Sequence, residues 1–145
     1  PNTGKSSVIN LLTGRSAMRV SSVAGFTKGI QKVGLTDKIV MLDSPGIIPN
    51  KEYSTSNARL MSQHTRVGAR GYSQVKDPAN AVYDLVRDFP AVFDKFYDVE
   101  AKGNAEILIE ELGKKKGFMK KGGEGDEDRT SRFIIRDWQE GRIKR

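Results

Sequence analysis

Gly4, Lys5 and Ser6 stand in succession near the start of the chain, and together they have the chemistry that holds phosphate. A glycine lets backbone N–H groups approach phosphate oxygens, an ammonium neutralises the outer phosphates, and a hydroxyl at a helix N-terminus can ligate a hard cation. The segment Pro1-Asn2-Thr3-Gly4-Lys5-Ser6 supplies all but the first two residues of the pattern G-x-x-x-x-G-K-[ST]. Further along, Asp43-Ser44-Pro45-Gly46 places a carboxylate where it would meet that cation, and a glycine N–H where it would meet a terminal phosphate. Between them, Ala24-Gly25-Phe26-Thr27-Lys28-Gly29 is a glycine-bounded loop whose hydroxyl, on Thr27, could close on the same cation. Each signal alone has a plain structural reading: a helix cap, a proline-glycine turn and an ordinary loop.

The elements that must position these groups follow from hydrophobic spacing. A helix is predicted from Lys5 to Thr13, closed by Gly14, followed by strands Ile30 to Leu35 and Ile39 to Asp43. Thr36-Asp37-Lys38 is short enough to make the two strands a hairpin. Ile39-Val40-Met41-Leu42 is apolar throughout, as expected of a strand covered on both faces and running straight into Asp43. From about residue 54 helix signals take over. Asp77-Pro78 caps a helix with Val82, Leu85, Val86 and Phe89 on one face. Asn104 to Lys116 forms another, with Ile107, Leu108 and Leu112 inward and Gly117 stopping it. A last helix begins near Asp126 and carries Phe133, Ile134 and Trp138 before Gly141; Lys120 to Gly125 reads as a mobile connector ahead of it.

Composition narrows the chemistry. The chain has 145 residues, 37% of them apolar, enough for one domain or two small ones. It lacks cysteine and has a single histidine, His64, so thiolate and histidine metal clusters are excluded and any metal is a hard cation held by oxygen. No apolar run approaches a membrane span and no targeting peptide is apparent, so a soluble, cytoplasmic protein is expected. A formal charge of +7 favours polyanions such as nucleotides or RNA.

The order of the three motifs resembles the phosphate, switch-one and switch-two elements of translation-factor-type GTPases. "PNTGKSSVINLLTG" is similar to their G-x-P-N-x-G-K-S-S-x-x-N-x-L form. "VAGFTKGIQ" followed by "MLDSPGIIP" resembles the circularly permuted GTPases of the YlqF/RbgA type, which assist ribosome assembly. "EELGKKKGFMKKGGEGDEDRTSRFIIRDWQEGRI" is similar to the C-terminal helical region of that family. Ala24 replaces the usual proline and Ser44 the commoner threonine, and neither removes a proposed ligand.

The resemblance implies an α/β fold: a partial, Rossmann-like three-layer P-loop GTPase domain over residues 1–55, a helical connection over 56–100 and an all-helical, basic C-terminal domain over 101–145. It implies that Asn2, Thr3, Gly4, Lys5, Ser6 and Ser7 cradle GTP or GDP, that Ser6 and Thr27 ligate Mg2+, that Asp43 holds the ion through water, and that Gly46 offers its N–H to the terminal phosphate. Asn2 would also be a K+ ligand. No catalytic residue is implied. Ile47 occupies the position of a water-orienting glutamine and has no hydrogen-bonding group, so hydrolysis of GTP should be slow without ribosomal stimulation. Guanine selection rests on [NT]-K-x-D, and Asn50-Lys51-Glu52-Tyr53 fails at its last position. The permuted family carries that motif ahead of the phosphate loop, so the expectation is a chain that is the second half of a longer protein.

Residues 113–145 carry Lys114, Lys115, Lys116, Arg129, Arg132 and Arg136, the arginines sharing a helical face. A solvated helix face is the plain reading; the resemblance implies contact with ribosomal RNA phosphates on the large subunit. Two other readings stay open here: an RNA-binding assembly module in which nucleotide only switches shape, and a P-loop ATPase without a ribosomal role.

Overall fold

The computed structural model describes residues 4–21, 27–48 and 57–144, and divides into two compact units, residues 1–55 and 56–145. Asn2, Thr3, the loop residues Ala24 to Phe26, and Asn50 to Tyr53 lie outside the described residues.

In the first unit, helix α1 spans Lys5–Thr13 between two left-handed glycines, Gly4 (φ 80°) and Gly14 (φ 64°). A side chain at either φ would be strained, so the glycines fix both ends of the helix. The face of α1 turned inward reads Ser6, Ile9, Asn10, Thr13, the i, i+3, i+4, i+7 stripe expected of a packed helix. Three of its four residues are polar. The apolar Val8, Leu11 and Leu12 point outward and are more than half exposed.

Strands β1 (Gln31–Thr36) and β2 (Ile39–Asp43) pair antiparallel, with Gln31 opposite Asp43 and Val33 opposite Met41. The register shifts between Gly34 and Thr36, and the Thr36 hydroxyl accepts the Lys38 and Ile39 N–H groups at 3.3 and 3.1 Å to close the turn. The hairpin is as the short spacer implies, but β2 is not covered on both faces. Ile39, Val40 and Leu42 are 51–62% exposed, while Asp43, its most polar residue, is buried. The physical reason is that the described sheet has only two strands, and the small core of Ile9, Met18 and Val33, with Met41 against it, covers a single face.

The second unit is helical, with α2 (Ala58–Arg66), a 3-10 turn at Tyr72–Gln74, α3 (Pro78–Asp88), α4 (Pro90–Tyr97), α5 (Ala105–Lys116) and α6 (Glu127–Gln139). The starts of α3, α5 and α6 are written in their caps: Asp77 accepts the Asn80 N–H, Asn104 those of Glu106 and Ile107, and Asp126 that of Arg129. One core runs from Val75 to Ile143 and draws on both sides of residue 100, with Val82, Leu85, Val86, Leu108, Leu112 and Ile134 buried and Phe133 and Phe89 packed against it. Ile107 does not join it. It is 42% exposed and Ile109, two positions on, is buried instead, because α5 turns its Ala105, Leu108, Ile109, Leu112 stripe inward.

Helix α6 organises this unit. Trp138 lies between Phe89 and Phe93, with ring centroids 5.2 and 5.9 Å away, and its indole N–H donates to the Arg66 carbonyl at 3.0 Å. Gln139 donates to the carbonyls of Thr65 and Arg70 and accepts the Tyr72 N–H, tying α2 and the turn to the end of α6. The Tyr97 hydroxyl donates to buried Asp137, whose other oxygen pairs with Arg142 at 2.9 Å. Where α5 meets α6, buried Gly113 leaves only enough room that an added Cβ would sit 3.0 Å from the Thr130 hydroxyl. Lys120 to Gly125 is a closed loop rather than a loose connector: Met119 and Gly125 form a bridge, and the N–H groups of Lys120 and Asp126 donate to the carbonyls of Glu124 and Phe118. Among the described residues no helix is long and apolar enough to cross a membrane.

Candidate functional site

Ser6 and Asp43, 37 positions apart in the chain, meet at one point: the Ser6 hydroxyl donates to Asp43 Oδ2 at 2.6 Å. The helix supplies one partner and the end of the hairpin the other. Left-handed Gly4 starts α1 so that Ser6 falls on its inward stripe, and the antiparallel register carries β2 to its end at Asp43. Asp43 is 2% exposed, and its Oδ1 has no hydrogen-bond partner among the described residues. Leaving a carboxylate oxygen buried and unpaired is costly. The donor set is therefore a hydroxyl and a carboxylate with an oxygen to spare, at the first turn of a helix, which fits a hard divalent cation such as magnesium.

The other sequence-derived residues are placed less tightly. Lys5 and Ser7 are exposed at the start of α1 and Gly4 is its cap. Thr27 and Gly46 are half-buried, and no hydrogen bond joins Thr27 to Ser6 or Asp43. Ile47, next to Gly46, is 82% exposed.

A residue that sequence reading left without a role stands beside the pair. One turn along α1 from Ser6, Asn10 grips the backbone of Met18 with both ends of its amide. Nδ2 donates to the Met18 carbonyl and Oδ1 accepts the Met18 N–H, each at 2.7 Å. Its trace in the sequence is its place four residues after Ser6 on the inward stripe, at the asparagine of the G-x-P-N-x-G-K-S-S-x-x-N-x-L form.

The six basic residues separate into two groups. Lys114 pairs with Glu110 and Glu111, Lys115 with Asp98, and Arg132 with Asp128 while also donating to the Tyr72 carbonyl. The Lys114 hydrogen bond holds the Glu110 carboxyl below its ordinary range, and Glu110 in turn raises the Lys114 ammonium. The remaining three lie over aromatic rings: Arg129 over Phe118 at 4.4 Å, and Lys116 and Arg136 over Phe133 at 5.6 and 5.1 Å. The two rings are themselves edge to face at 5.4 Å. None of these three cations forms an ion pair among the described residues; Lys116 and Arg129 are exposed, while Arg136 is half-buried with its Nε inside.

A model of the 50S ribosome-binding GTPase family matches residues 1–110. The chain belongs to that family. It is 34% identical over 99% of its length to an uncharacterized GTP-binding protein of Methanocaldococcus jannaschii, covering 37% of that protein. It is 32% identical to nucleolar GTP-binding protein 2 of Yarrowia lipolytica, again over 99% of its own length and 27% of the relative. Among solved structures it is similar to GNP-bound YlqF from T. maritima, with a TM-score of 0.58, 27% identity, and coverage of 97% of this chain and 52% of that one. The GDP-bound structure of TM YlqF gives a TM-score of 0.56, 28% identity, and coverage of 97% and 53%. The chain thus spans about half the length of those solved structures and less of the curated relatives.

Proposed function

We propose that residues 1–55 form the phosphate- and metal-binding part of a guanine-nucleotide switch that hydrolyses GTP during assembly of the large ribosomal subunit. The observation that carries this reading is the meeting of Ser6 and Asp43 at 2.6 Å with Asp43 Oδ1 buried and unpaired. Ser6 and Thr27 would hold Mg2+ directly and Asp43 through water, with Asn2 a candidate for K+. Bound there, magnesium supplies charge neutralisation for the outer phosphates. The chain's own groups do the positioning. Asn2 to Ser7 would hold the phosphates, Lys5 would offset their charge, Gly46 would donate its N–H, and Ile47 would lend no hydrogen bond to water. The match to a GTPase family and the GDP- and GNP-bound relatives favour guanine nucleotide over ATP.

The helical residues 56–145 complete the reading, with 56–100 as connection and the basic surface in 101–145. Of the six proposed RNA contacts, Lys116, Arg129 and Arg136 are the strongest, since Lys114, Lys115 and Arg132 already hold carboxylates. A cytoplasmic location belongs to this reading.

Titration of the full-length protein with a fluorescent GTP analogue and magnesium tests it. Lys5→Ala or Ser6→Ala should weaken binding roughly 10- to 100-fold, the worth of a hydrogen bond to a charged group. Equal affinity in wild type and both variants overturns the site. Turnover should be slow alone and rise with ribosomal particles; a fast unstimulated rate overturns the role given to Ile47.

A further inference from the structure

We infer that Asn10 is a positioning residue of the nucleotide site, setting the near anchor of the arm that carries Thr27. The inference rests on the nucleotide reading above. Helix α1 presents Ser6 and Asn10 one turn apart on one stripe, so whatever orients Ser6 toward Asp43 also orients the Asn10 amide toward Met18.

The geometry of the grip matters more than its strength. Because one amide takes both the N–H and the C=O of the same residue at 2.7 Å, it fixes the direction of the chain at Met18 as well as its position, as a neighbouring β-strand would. Met18 is 4% exposed and lies in the core with Ile9 and Val33. Val33 belongs to β1, which begins four residues after Thr27. Met18 and Val33, on either side of Thr27 in the chain, therefore belong to the same small cluster, Val33 held by strand pairing and Met18 by Asn10. Arg15 adds a weaker tie, donating to the Gly34 carbonyl at 3.4 Å. With so few buried apolar side chains, the two amide bonds are a large share of what holds the near anchor.

The expected consequence is selective. On the nucleotide reading, Thr27 would serve the triphosphate state, whereas Lys5 and Ser6 would serve both GDP and GTP. Loosening Met18 should therefore cost affinity for a GTP analogue more than for GDP.

The experiment measures both affinities, with magnesium, in the full-length protein carrying Asn10→Ala, Asn10→Asp and, as reference, Lys5→Ala. Asn10→Ala should lower the ratio of GTP-analogue to GDP affinity by several-fold up to about tenfold. Asn10→Asp keeps the shape and the acceptor for the Met18 N–H but loses the donor to its carbonyl. It should fold as wild type and shift the ratio in the same direction by less or as much. Lys5→Ala should weaken both nucleotides. An unchanged ratio in Asn10→Asp and Asn10→Ala, with Lys5→Ala still weakening both, overturns the role of Asn10 and leaves the site standing. Equal losses for both nucleotides in the Asn10 variants reduce Asn10 to a support of the helix and also overturn it. Lys5→Ala without effect on either nucleotide overturns the site and the inference together.

Discussion

Among the described residues, the first unit closes round three buried apolar side chains, Ile9, Met18 and Val33, while the second buries sixteen in one cluster. Each spends its polar residues differently. In the helical unit several buried polar groups lock the frame, with Gln139 holding two carbonyls and Asp137 between Tyr97 and Arg142, while Asp94 Oδ1 and Ser131 Oγ are buried without a partner among the described residues. In the nucleotide unit the inward face of α1 is itself mostly polar, and one of its contacts leaves a buried carboxylate oxygen unpaired. Among the described residues, the unit proposed to take up a charged ligand has the smaller apolar core.

The strongest way to break this contrast is to open the larger core. Phe93 is fully buried beside Trp138, and Phe93→Ala should destabilise the helical unit by about 3–5 kcal/mol, read by chemical denaturation of its helical signal. A loss near the size of a surface substitution would mean that the cluster is not the tight core described.

The contrast sharpens if nucleotide stabilises the thin-cored unit. With GTP analogue and magnesium at a hundredfold excess over the dissociation constant, amides of α1, β1 and β2 should gain about 2.7 kcal/mol of protection in hydrogen exchange, and Lys5→Ala at the same concentration should cut the gain to about 0.4–1.4 kcal/mol. No gain in wild type would show that the groups of Ser6 and Asp43 are not for nucleotide.

A smaller effect separates the two groups of basic residues. Replacing Lys116, Arg129 and Arg136 by Gln should weaken binding to large-subunit RNA and flatten the logarithmic salt dependence by up to about three, one for each phosphate contact. The same change at Lys114, Lys115 and Arg132 should do less, because their charges are already paired. Equal effects of the two triple variants would remove the distinction.

The smallest effect appears only in alkali. Burial, and then the Asp137 carboxylate, push the Tyr97 hydroxyl far above the ordinary phenol range. The folded state thus holds this proton more tightly than the unfolded chain, whose tyrosines titrate near 10. Its contribution is complete below pH of about 10 and is lost as pH rises beyond that. In an alkaline titration followed by tyrosinate absorbance, Tyr97 should ionise only as the helices unfold, and Tyr97→Phe should remove that component. Ionisation of Tyr97 in the folded protein would contradict the burial.

What could be read from the sequence was whatever is written locally. Gly4 and Gly14 bound α1, Asp77-Pro78 starts α3, and Asn104 and Gly117 enclose α5, since caps and left-handed turns need particular residues. Ser6 and Asp43 could be paired through the order of their motifs. Helices α2 and α4 were not separately visible: Pro90 follows Phe89 directly and runs α4 on from α3, and α2 is short, with few apolar residues. The exposure of β2 was hidden for the reason that an apolar run gives no sign of which face finds a partner. Asn10 stood in the sequence as a motif position without a role, because its partner is backbone, which every residue possesses.

Gly113 ties two positions into a fixed order of change. In the middle of a helix a glycine sits about 1 kcal/mol below alanine, so alanine would be the preferred occupant on propensity alone. The Thr130 hydroxyl, 3.0 Å from where the new methyl would sit and itself donating to the Asp126 carbonyl at 2.8 Å, bars that exchange. A route through sequence space that reaches alanine at 113 without loss must first remove the hydroxyl at 130. The reverse order passes through a protein in which the Thr130 side chain must give way by a few tenths of an ångström to the new methyl.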